Sequence, residues 1–189
     1  MLMRVVSAGR DLHPYHHHGN HARVIAKDGR LLDTGTGSGA WPDLSYEVFT
    51  VQAVPGETVD AIFEWTGKGL GWDMYGHDGT EADICTGYDP NDPNTFFDTV
   101  TKEYCPDHGK PFPVDLPAKQ NLTFGGFYSG SPFLGTEGSL PPGEGGLNPY
   151  AGFAYMWHSH TEKEMTNYNI FPGGMMTMAI IEPPWAPIP

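Results

Sequence analysis

Apolar residues in this chain collect in short runs rich in Val, Ile, Thr, Tyr and Phe, separated by Gly, Pro, Asp and Asn. Runs of this kind bounded by turn residues predict strands. The opening Met1-Leu-Met-Arg-Val-Val6, Ala22-Arg-Val-Ile-Ala26, the segment 54–63 and the segment 175–181 are the clearest, with a further strand expected over 120–128. No stretch reaches the roughly 18 consecutive apolar residues of a membrane-spanning helix. An all-β sandwich follows, and the 189 residues fit one domain carrying a large loop. That loop is the insertion 78–152, rich in Pro, Gly, Asp and Asn and long for a segment without regular structure. The closing segment 182–189, Glu-Pro-Pro-Trp-Ala-Pro-Ile-Pro, reads as an extended tail.

Two histidine clusters change the picture: His13-Pro-Tyr-His16-His17-His18-Gly19 near the start and Trp157-His158-Ser159-His160 near the end. On a strand the side-chain period is two, so both histidines of an H-x-H triplet face the same side. Two such strands paired in a sheet bring four imidazoles together. His16, His18, His158 and His160 are therefore the candidate metal ligands, and His17 should face the opposite way. Nitrogen ligands without thiolate lean toward Cu(II), although imidazole also suits zinc, iron and nickel. A run of three histidines can equally be a purification remnant or a solvated turn. Against that, this run is embedded between His13-Pro-Tyr and a strand. His21, His77 and His108 read as surface residues.

With these motifs the chain resembles the multicopper oxidases, which are built from cupredoxin domains. The family's H-P-x-H-x-H-G matches His13 to Gly19, and its late H-C-H matches His158-Ser159-His160, followed by Phe171-Pro-Gly-Gly-Met175-Met176. Its P-G-E-x-x-D strand matches Pro55-Gly56-Glu57-Thr-Val-Asp60, and its V-I-x-x-D-G matches Val24-Ile-Ala-Lys-Asp28-Gly29. The resemblance covers residues 3–77 and 150–182. It implies a cupredoxin-like Greek-key β-sandwich in which His16, His18, His158 and His160 supply half of a trinuclear copper cluster for O2 reduction. The family draws the remaining ligands from a second cupredoxin domain. The resemblance thus implies a larger multidomain or multichain protein, and the single strand before the first histidine motif agrees with that.

One departure is decisive. The family's blue copper centre needs a cysteine between the late histidines, and this chain has Ser159 there; the following Thr161-Glu-Lys-Glu164-Met165 lacks the histidine that would complete it. His13 loses its copper, and Met175 and Met176 lose an axial role and are expected in the core.

The formal net charge is -13, with only ten Lys and Arg, which excludes the basic surface that nucleic acid requires. Cys85 and Cys105 are expected to form a disulfide; the closed loop of roughly 20 residues is worth about 3 kcal/mol through the unfolded state. A disulfide points to an extracellular or periplasmic setting, although the opening residues read as a strand rather than a secretory leader. The leading expectation is a copper-dependent oxidoreductase domain of an oligomer. The alternatives are a non-catalytic copper-binding module and a structural cupredoxin unit of an extracellular assembly.

Overall fold

The computed structural model describes residues 1–68, 70–73, 77, 85–111, 130–131 and 153–181. The expected strand over 120–128, most of the insertion and the tail 182–189 lie outside these residues.

Among the described residues ten strands form in chain order: β1 (Leu2–Val6), β2 (His13–His17), β3 (Ala22–Lys27), β4 (Arg30–Leu31), β5 (Tyr46–Val48), β6 (Thr50–Ala53), β7 (Thr58–Phe63), β8 (Gly130–Ser131), β9 (Phe153–Ser159) and β10 (Met176–Ile181). The only helical turns among the described residues are 3-10 turns of three or four residues. The protein is all-β, built on two antiparallel sheets. One runs β1-β7-β3-β4 with β5 also on β3, and the other contains β10-β9-β2-β6.

The polypeptide divides into two compact units. Among the described residues, the first comprises Met1–Glu64 and Tyr155–Ala179 and holds the histidine clusters. The period-two pattern builds its core. Ala22, Val24 and Ala26 of β3, Val59, Ala61 and Phe63 of β7, and Val51 and Ala53 of β6 are all buried, while their neighbours face outward. The ring of Phe63 meets Trp157 of β9 at 5.1 Å and His17 of β2 at 6.0 Å between centroids, so aromatic contacts join the two sheets.

Two of the matched motifs prove to be turns. Asp28 and Gly29, with φ of 50° and 73°, make the two-residue hairpin that pairs Lys27 with Arg30. Pro55-Gly56 makes a turn closed by Glu57 N–H donating to the Val54 carbonyl at 2.9 Å, with Gly56 at φ 85°. The Glu57 carboxylate accepts from Val54 N–H at 3.0 Å and from Lys27 Nζ at 2.7 Å, tying this turn to β3. Met175 and Met176 depart from expectation. Met175 is 37 % exposed and Met176 half-buried; Met175 precedes β10, which among the described residues pairs on one side only, with β9.

In the second unit the described residues 65–111 carry little regular structure. Cys85 and Cys105 are joined by a disulfide, with Cα atoms 5.9 Å apart. No helix of the described residues is long and apolar enough to cross a membrane.

His17 is 1 % exposed, and burial pushes its imidazole down from 6.5 to about 4. A depressed histidine pKa favours the fold above the unfolded value and ceases to do so as pH falls toward the folded one. The metal-free protein should therefore lose stability between about pH 6.5 and 4. Replacing His17 by Phe should flatten that slope by about 1.4 kcal/mol per pH unit, measured by urea unfolding across the window. Phe63→Ala should lower unfolding free energy by about 3–5 kcal/mol at unchanged denaturant m-value, since it empties the contact between the sheets.

Candidate metal centre

The pairing of β2 with β9 builds the site. His16 lies opposite His158, Tyr15 opposite Ser159 and His17 opposite Trp157. Beyond the strand ends the ladder continues, with His18 N–H donating to the Met156 carbonyl at 3.2 Å and His160 N–H to the Pro14 carbonyl at 2.8 Å. Alternation then sends His13, Tyr15, His17, Trp157 and Ser159 to one face and His16, His18, His158 and His160 to the other. His17 turns away from the cluster and packs against Phe63 and Trp157.

On the histidine face the rings converge. His16 lies 4.8 Å from His18, 5.4 Å from His158 and 5.0 Å from His160, centroid to centroid. Nε2 of His18 and Nε2 of His158 approach to 3.2 Å. His158 Nδ1 lies 2.7 Å from the Ser159 carbonyl, which can only accept, so the proton sits on Nδ1 and the lone pair on Nε2. His16 Nδ1 is 2.9 Å from Thr50 Oγ1. Ligand atoms of His16, His18 and His158 all lie within 4.8 Å of one another. His160 is exposed at the rim, whereas His158 is buried. Burial first, and then the nearby His18, His160 and His158, push His16 down to about 4. At neutral pH its imidazole is neutral, the form that binds metal. An all-imidazole set of this spacing fits a copper ion, and by donor chemistry alone also zinc, nickel or iron.

Gly19 shapes the end of the motif. Its φ is 108°, and a Cβ there would meet the Tyr155 ring at 3.1 Å, so the turn after His18 admits only glycine at low cost. Trp157 Nε1 donates to the His18 carbonyl at 3.0 Å and holds the same corner.

His13 lies on the opposite face, away from the four converging imidazoles. Its Nδ1 is 3.0 Å from Glu164 Oε1, while Ser159 Oγ donates to Glu164 Oε2. Thr161 N–H in turn donates to Ser159 Oγ at 3.1 Å. Burial raises the Glu164 carboxyl, but the hydrogen bonds from Ser159 and His13 outweigh it and hold the group below its ordinary range. The place where the family resemblance implies blue copper thus holds a hydrogen-bonded His-Glu-Ser set. Gly174 makes room for it. At φ 60°, a Cβ there would fall 2.1 Å from the Glu164 carbonyl oxygen, which Met175 N–H reaches at 2.7 Å.

The other histidines fall differently from the sequence reading. His21 is half-buried and stacks on Phe49 at 3.7 Å. His77 is buried and His108 half-buried, where surface positions were expected. They meet Glu103, and ligand atoms of the three lie within 4.8 Å of one another. Their separation along the chain hid this grouping: only Glu103 lies between the two cysteines, while His77 and His108 lie just outside them.

The chain is an all-β protein of two antiparallel sheets with a histidine cluster on one sheet face. Comparison with family profiles, with curated proteins and with solved structures gave no match.

Ser159→Cys alone should give no intense blue absorption on copper loading, because beside Ser159 stand one imidazole, His13, and the Glu164 carboxylate rather than two imidazoles. Combined with Glu164→His, it would set a thiolate beside two imidazoles, the donor set of blue copper sites. Visible spectra of the two variants after copper addition distinguish them.

Proposed function

We propose that this chain is a copper-binding domain of the multicopper oxidase type that contributes half of a shared oxygen-reducing cluster. The convergence of His16, His18, His158 and His160 on one face of paired strands carries the reading. His16, His18 and His158 would hold the metal from the sheet and His160 from its rim, and a second cupredoxin domain or subunit would supply the remaining histidines. Copper, when bound, supplies the one-electron steps by which O2 is reduced to water. The protein's own groups fix the ligands. The Ser159 carbonyl sets the tautomer of His158, Thr50 orients His16, and the low pKa of His16 keeps it ready to bind at neutral pH. The electrons would enter from a blue copper site on the partner, since Ser159 and Glu164 replace two of its ligands here. The Cys85–Cys105 disulfide supports an extracellular or periplasmic setting.

The hydrogen-bonded His13-Glu164-Ser159 set also favours a second reading, a copper-holding module without turnover, because the electron-entry position is closed by protein groups.

Copper per chain, electron paramagnetic resonance and O2 uptake of the native assembly separate the two. Several coppers per chain, with a spin-silent pair and O2 uptake both lost in His158→Ala, support the shared cluster. Copper that is fully visible to resonance, with no O2 uptake, supports the binding module. Absence of copper from the assembly sinks both.

A further inference from the structure

We infer that the second unit holds a divalent transition metal of its own, zinc by preference, on His77, Glu103 and His108. The site is independent of the histidine cluster on β2 and β9. Glu103 is 4 % exposed, and its Oε2 atom is sealed from solvent and accepts no hydrogen bond. A buried carboxylate oxygen in that condition is costly unless a cation meets it. Both nearby imidazoles present Nε2 to this oxygen, His108 at 3.4 Å and His77 at 3.7 Å, and the two rings stack at 4.2 Å. For a tetrahedral ion with bonds of about 2.0–2.1 Å, neighbouring ligand atoms stand roughly 3.3 Å apart, close to the two histidine–glutamate distances, and all three ligand atoms lie within 4.8 Å of one another.

The surroundings are those of a supported metal site. His77 Nδ1 donates to Asp73 Oδ2 at 3.1 Å, placing the lone pair on Nε2, and Asp73 is fixed by Gly109 N–H at 2.8 Å. A carboxylate behind a ligating histidine orients the ring and raises its basicity. His108 Nδ1 lies 3.3 Å from Cys85 Sγ, so the disulfide braces the second ring. Charge agrees. Asp107 is paired with Lys110 at 2.8 Å, whereas Glu103 Oε2 meets only the two imidazoles among the described residues. Two histidines and one glutamate make a zinc set with a fourth position for water.

The need for the ion is physical. Among the described residues of 65–111 the buried polar residues Asp73, His77, Glu103 and Asp107 outnumber the buried apolar residues Leu70, Trp72 and Cys105. A segment with so small an apolar core requires staples, and the disulfide is one. The ion would be a second, joining two separate stretches of chain, at His77 and at 103–108.

The test uses the full chain carrying His16→Ala and His158→Ala, which disables the first cluster, stripped with chelator and titrated with Zn2+ and with Co2+ alone. One zinc per chain, the intense visible bands of four-coordinate cobalt and a zinc-dependent rise in melting temperature are expected. Binding should weaken roughly 10- to 100-fold in Asp73→Asn and at least as much in Glu103→Gln. No zinc bound by a protein whose disulfide and β-type circular dichroism are intact overturns the assignment, as does binding indifferent to Glu103→Gln. If the double variant does not fold, bound zinc is counted in the otherwise unsubstituted chain with and without Glu103→Gln. Loss of one ion then supports the site, and an unchanged count overturns it.

Discussion

The register of β2 against β9 is the constraint on which the first unit depends. Because side chains alternate, the same pairing that sets His16 opposite His158 also sends His17 and Trp157 to the other face, against Phe63. A slip of one residue would bury the candidate ligands and expose the core aromatics. The burial of apolar surface between the sheets and the gathering of imidazoles on the other side are thus one event. Two local devices pin it, the glycine corner over Tyr155 and the Trp157 indole on the His18 carbonyl.

The two faces of that sheet differ in chemistry. On one, imidazoles crowd together and burial keeps His16 neutral, which leaves nitrogen lone pairs available to a cation. On the other, a carboxylate held below its ordinary pKa gathers His13 and Ser159 by hydrogen bonds. Serine and glutamate are hard oxygen groups that satisfy each other and His13 by hydrogen bonds, and this face offers no thiolate to a soft metal ion.

The second unit is held by other means. Its described residues bury acids and histidines in preference to hydrocarbon, and a disulfide does part of the work that a core would do elsewhere. Such a polar interior holds only if its charges are compensated, which is why Asp107 meets Lys110 and Asp73 meets His77 and a backbone N–H.

Strand positions, the shared face of His16 and His18, the opposite orientation of His17 and the disulfide pairing were legible in the chain itself. They follow from a period of two, from turn residues and from there being two cysteines to pair, all local properties. The meaning of Pro55-Gly56-Glu57 as a turn tied to Lys27, the capture of His13 by Glu164, the exposure of Met175 just before β10 and the meeting of His77 with Glu103 and His108 were not legible. Each depends on which segments become neighbours in space and how much water they exclude. Sequence spacing fixes the face on which a side chain lies; only tertiary packing fixes what stands across from it and whether water can reach it.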